Sequence, residues 1–198
     1  MARAQRADAS RNRERLLEIA SEMFAASGVE TSLEKIAKAA GVGIGTLYRH
    51  FPTRDALAEA VYRHNVEALC DGAEELSATL PPEEALAEWM QRFVAYVPGK
   101  KGLASYLKSV VDADSDLFSS SQARVQATIE RLLQAAAAVG AIRPGIDGMD
   151  LLRGLSGVCL MSGTDPGASA AGGKLAMLLM DGLRYRAEAH SGGPSVRA

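Results

Sequence analysis

An all-α fold of about nine helices is predicted by two observations. Apolar residues recur at three- and four-residue spacing through most of the chain, and no segment alternates apolar and polar residues as a half-buried strand would. The stretches between these runs carry helix punctuation, namely Gly28, Gly41, Pro52, Pro81-Pro82, Pro98-Gly99, Gly140 and Pro144. With 198 residues, 47% of them hydrophobic and 23% charged, the chain is long enough for one medium domain or two small ones. It can bury a real core. No apolar run reaches the roughly 18 residues that would span a bilayer.

The first stripe is Leu16, Leu17, Ala20, Met23 and Phe24, closed by Gly28. Ahead of it, MARAQRADASRNRER sets five arginines against Asp8 and Glu14. The stretch lacks the apolar segment of a secretory signal. Arg3, Arg6 and Arg11 are candidates for a polyanion contact. A second helix is expected over TSLEKIAKAAG. Thr31 would cap it by accepting the Glu34 amide while Glu34 reaches back, a capping box, and Gly41 would close it. A third, short helix over 44–51 is stopped by Pro52. Thr53 is expected to cap a fourth, with Asp55 in its dipole-favoured first turn; it runs to about Thr79 with Leu57, Ala60, Val61, Ala68 and Leu69 on one face.

Further helices are expected over 83–97, then around Leu103, Tyr106, Leu107, Val110 and Val111, then around Val125, Ile129, Leu132, Leu133 and Ala136. Residues 147–162 carry Leu151, Leu152, Leu155, Val158 and Cys159. TDPGASAAGG is read as a loop before a last helix over 173–190, which carries Leu175, Leu178, Leu179 and Leu183. HSGGPSVRA should fray. Cys70 and Cys159 lie within apolar helical patterns, so they read as buried free thiols suited to a reducing cytosol.

The stretch GVGIGTLYRHFPTRDAL carries the chemistry. Two short helices that cross steeply need a small residue at the crossing, here Ala37. They also need a turn residue tolerant of left-handed geometry, here Gly41. Ile36, Val42 and Leu47 would form the small core between them. That is a helix-turn-helix. At 100° per residue, Ile44, Leu47 and Phe51 share one side of the second helix, while Gly45, Thr46 and Arg49 fall opposite with Tyr48 and His50 on the flanks. The outward side is rich in donors and has no carboxylate, and Gly45 lets a phosphate backbone come close. Such a helix suits a DNA major groove.

Residues 11–57, above all TSLEKIAKAAGVGIGTLYRHFPTRDALAEAVY with its TLYxHF core, resemble the N-terminal DNA-binding domain of the TetR family of bacterial transcriptional regulators. The resemblance implies a helix-turn-helix domain over 8–57, a helical ligand-binding and dimerisation domain over 58–190 and a disordered tail over 191–198. It implies phosphate contacts from Thr46, Tyr48, His50 and Arg54, and from Thr31 and Ser32 at the start of the second helix. Arg49 stands where many relatives hold a second aromatic phosphate contact. Ile44 and Gly45 stand where relatives often touch bases. An isoleucine can pack on a thymine methyl but cannot read a hydrogen-bonding edge, which shifts weight to DNA shape.

For the rest of the chain, the resemblance implies a homodimer in which the last two helices pair across a twofold axis. Leu151, Gly154, Leu155, Val158, Leu175, Leu179, Gly182 and Leu183 are the candidates. A largely apolar effector would meet His64, Trp89, Phe93, Tyr96, Tyr106, Val110, Phe118 and Met161. Each of these is also a plausible plain core residue. The function implied is a ligand-responsive regulator, most commonly a repressor, that binds a palindromic operator. The alternative is an all-α binding or enzymatic domain whose helix-turn-helix is only structural. No catalytic arrangement, cofactor or metal site is expected. DADSDLF lacks the glycine and glutamate of a calcium loop, holding Leu117 and Ala123 there, and His50, His64 and His190 have no metal spacing.

Overall fold

The structure, a computed structural model, describes residues 2–96, 101–111, 116–161 and 168–185. Among these residues the secondary structure is nine α-helices with no strand: α1 (Ala2–Ser27), α2 (Leu33–Ala39), α3 (Ile44–His50), α4 (Arg54–Thr79), α5 (Pro82–Tyr96), α6 (Lys101–Val110), α7 (Leu117–Ala138), α8 (Gly148–Met161) and α9 (Ala168–Arg184). None of the described helices is long and apolar enough to cross a membrane. The calcium-like run at 112–115, His190 and the tail lie outside the described residues.

Two helix starts differ from expectation. Ser32, not Thr31, is the N-cap of α2; its hydroxyl oxygen accepts the Lys35 amide at 3.4 Å. Thr31 instead donates to the Gly28 carbonyl at 2.8 Å, closing the turn after α1. The capping box is therefore replaced by a cap one residue later, with the Ser32 hydroxyl donating to Glu34 at 2.5 Å. That bond, followed by smaller contributions, holds the Glu34 carboxyl below its usual range. The last helix begins at Ala168 rather than 173. The alanines of ASAAGG favour helix enough to carry the chain through Gly172 and Gly173. α7 starts at Leu117, ahead of the Val125 stripe, and Leu117 itself is fully buried.

The expected cap of α4 and the buried free cysteines are both present, and two further helix starts are set by residues with no such role expected of them. Thr53 caps α4, accepting the Ala56 amide at 3.0 Å. Asp147 caps α8 through the Asp150 amide at 3.0 Å. Pro82 opens α5, a first-turn position where its missing N–H is no loss. Cys70 and Cys159 are free and buried.

The chain forms two compact units, residues 1–67 with 99–119, and residues 68–98 with 120–198. These divisions fall at other places than the expected 57/58 boundary, and α4 contributes to both units. In the first unit α2 packs on α1 and α3, and α6 packs on α1. Leu16, Leu17, Ile36, Leu47, Leu57, Val61 and Leu107 form the centre of its core. In the second unit α5 packs on α8 and α9, around Trp89, Met90, Ile129, Leu132, Leu155 and Met180. Trp89 is fully buried, and its indole N–H donates to the Leu69 carbonyl at 3.0 Å, so the polar edge of the ring is satisfied inside the core.

Candidate nucleic-acid interface

The recognition element is set up by the turn between α2 and α3. Gly41 has φ of 71°, a left-handed conformation that carries little strain only for glycine. Its N–H donates to the Lys38 carbonyl at 3.1 Å, and the Val42 N–H to the Ala37 carbonyl at 3.0 Å, a paired closure of the helix end. Ala37 is buried at the crossing, with Ile36 and Leu47 fully buried and Val42 packed against them. The Gly43 carbonyl then accepts the Thr46 and Leu47 amides at 2.9 and 3.3 Å, which starts α3 at once.

This geometry leaves one side of α3 in solvent. Tyr48 is 45% exposed, Ile44 37% exposed, and Gly45 and Arg49 are exposed, with Thr46 and His50 half-buried. A Cβ on Gly45 would meet nothing within 4 Å on the protein side. No acidic residue stands in the first turn of α3, while Arg49 and His50 end it. Phe51 turns inward as the C-cap and is buried, with the Arg13 guanidinium of α1 lying 5.5 Å from its ring centroid. The expected split of α3 is thus observed, except that Ile44 lies on the solvent side rather than in the core.

Thr31 and Ser32 are half-buried at the start of α2, with hydroxyls engaged as described. Arg54 has a structural task that spacing could not reveal. Its Nη1 donates to the Thr31 carbonyl at 2.7 Å and also to the Val29 carbonyl. The exposed lysines Lys35 and Lys38 on α2, which the sequence reading did not single out, add positive charge beside α3. Two cations one helical turn apart on an otherwise polar face were the available signal.

The expected effector residues are distributed over both units. In the first, His64 lines an open groove of about 340 Å³ with Arg13, Leu17, Glu59, Arg63 and Glu67. In the same unit Tyr106 is half-buried, Val110 exposed, and Phe118 packs edge-on to Tyr62 at 5.4 Å. In the second, Trp89 and Phe93 are core residues and Tyr96 is half-buried. A groove of about 310 Å³ there is lined by Leu133, Ile142, Arg143, Pro144 and Ile146, among others, and by none of the expected residues. The side chain of Met161 lies outside the described residues. No group of three potential metal ligands occurs among the described residues.

The expected pairing residues divide likewise. Leu151, Leu155 and Leu183 are buried within their own unit, and Val158 and Leu179 are half-buried. Gly154 lies against Leu179, whose Cδ1 would sit 3.7 Å from an added Cβ. The large apolar residues that α9 turns to solvent are Leu175 and Leu178, 39% and 65% exposed; Gly182 is open, and Tyr185, directly after the helix, is 64% exposed. These positions share one face at helical spacing.

Comparison with known proteins agrees with this geometry. The family model "Bacterial regulatory proteins, tetR family" matches residues 16–61, and "Transcriptional regulator SbtR-like, C-terminal domain" matches residues 81–185. A TetR transcriptional regulator from Streptomyces coelicolor is 44% identical, over 87% of this chain and 98% of its own, with a TM-score of 0.80. A TetR transcription regulatory protein from Mycobacterium vanbaalenii is 34% identical, over 91% and 99%, with a TM-score of 0.75. A curated relative, an HTH-type transcriptional regulator of Staphylococcus aureus (strain USA300), is 44% identical over 63 residues, 31% of this chain and 34% of the relative. The chain therefore belongs to the TetR family of transcriptional regulators, with that family's DNA-binding domain at its N-terminal end.

Proposed function

We propose that the chain is a ligand-responsive repressor that binds a palindromic operator as a homodimer in the cytoplasm and releases it when a small, largely apolar effector binds. The observation that carries the reading is the solvent side of α3. Thr46, Tyr48 and Arg49 offer donors there, Gly45 offers room, and no carboxylate opposes a phosphate. Dimerisation is supported by the exposed apolar stripe of Leu175 and Leu178 on α9, continued by Tyr185 directly after it. A twofold dimer would present two copies of α3 to successive major grooves.

In this reading Tyr48, Thr46, His50 and Arg49 hold phosphates, and Ile44 and Gly45 lie nearest the bases. The effector must bind the DNA-free conformation better, with a coupling of about 1–3 kcal/mol typical of such switches. Of the expected contacts, Tyr96 in one unit and Tyr106 and Phe118 in the other are half-buried side chains of that apolar and phenolic character. The DNA reading is tested by fluorescence anisotropy of labelled duplexes. Tyr48→Ala should weaken binding to every sequence alike. Arg49→Ala should lower the slope of log affinity against log salt by about 1, the loss of one phosphate contact. Wild-type affinity and slope in both variants would refute it.

A further inference from the structure

Most of the first unit is continuous sequence, but α6 is not. The unit takes residues through Glu67 and then 99–119, so α6 joins the DNA-binding elements from beyond α5. Its Tyr106 is half-buried, with its ring against the core of the unit. The phenol donates to Asp55 Oδ1 at 2.5 Å across 51 residues of sequence. Packing alone would be met by phenylalanine. Asp55 already has a favourable place in the first turn of α4, where the helix dipole suits a carboxylate. The hydroxyl therefore adds a directional, charge-assisted bond between two helices, one that neither helix needs in order to form.

Asp55 is followed back by Arg54, whose guanidinium holds the carbonyls of Val29 and Thr31. Those carbonyls belong to the corner between α1 and α2, directly before the Ser32 cap, and α2 carries α3. Two sets of hydrogen bonds, one from α6 to Asp55 and one from Arg54 to the α1–α2 corner, thus meet at adjacent residues of the first turn of α4, joined by its backbone. We infer that Tyr106 is a positioning residue for DNA binding, its hydroxyl fixing the α1–α2 corner, and with it α3, through Asp55 and Arg54. This rests on the DNA-binding reading above.

The test uses the full-length chain and, as probe, a duplex enriched by the wild-type protein from a random pool. Tyr106→Phe should bind that probe about tenfold more weakly. Asp55→Asn keeps an acceptor for the phenol and should lose less than Asp55→Ala. Combined with Arg54→Lys, Tyr106→Phe should cost little beyond the larger single effect, because both act through the first turn of α4. Wild-type affinity of Tyr106→Phe, or full additivity with Arg54→Lys, overturns the inference. Without DNA, amide hydrogen exchange over residues 29–36 should be faster in Tyr106→Phe; unchanged exchange also overturns it. Failure of the wild-type protein to enrich any duplex would count against the DNA reading instead, and the exchange result would still decide the role of Tyr106.

Discussion

Gly45 shows the conflict between stability and function at a single position. It lies inside a helix, where glycine is about 0.8–1.0 kcal/mol worse than alanine, and it has open space around it. Gly45→Ala should therefore raise the thermal midpoint while weakening DNA binding about tenfold, since the added methyl stands where a phosphate backbone approaches. Melting and anisotropy on the same sample check both signs; unchanged or tighter DNA binding would remove the role assigned to the open position. Tyr106 gives a second test. Its phenol is pushed up to about 12, first by the hydrogen bond to Asp55, then by burial and by the negative charge of that carboxylate. An unfolded tyrosine titrates near 10. The folded state thus holds the proton more tightly, so its contribution is complete below about pH 10 and is lost as pH rises toward 12. Phenolate absorbance should show one of the five tyrosines titrating late, and Tyr106→Phe should delete that phase. Residue-level reading had a limit here. TSLEK offers two adjacent hydroxyls, and only the extended backbone of Ser32, with ψ of 129°, decides which one caps. The partners of Arg54 and Tyr106 lie 23 to 51 residues away, beyond any local pattern.

The helices themselves were largely legible, because stripes and breakers act within a turn or two. The boundaries of α4 follow from Thr53 and the proline pair, and those of α2 and α3 from Gly41 and Pro52. Which side of a helix faces inward was less legible where both sides are apolar. In α9, Ala176, Met180 and Leu183 are buried while Leu175 and Leu178 are exposed, although leucine dominates the sequence signal. Leu178 is therefore a sharper probe of pairing than Leu183, which serves the core of its own unit. Burying a leucine is worth about 1.5–3 kcal/mol, and a twofold interface repeats the gain. Leu178→Glu should shift the protein from dimer to monomer in sedimentation without lowering helicity. A dimer that persists at micromolar concentration would move the interface away from this face of α9.

At the scale of the whole molecule, the helix-turn-helix could be read because its parts are contiguous. The residues expected to meet an effector come from separate segments, and the fold sends them to different units. Trp89 illustrates this. Its aromatic bulk suggested a pocket wall, yet it is a fully enclosed core residue with a satisfied N–H. The proposed twofold arrangement would likewise be a property of two chains, and one sequence carries only an exposed stripe. The central claim is that two copies of α3 read two related half-sites on one face of a duplex. In vitro selection of random duplex DNA by the purified protein at near-physiological salt tests it most directly. Two such half-sites require enrichment of a palindrome whose half-site centres lie about one helical turn, 10–10.5 base pairs, or a multiple of it apart. Recovery of no motif, or of a single unrepeated half-site, would contradict it.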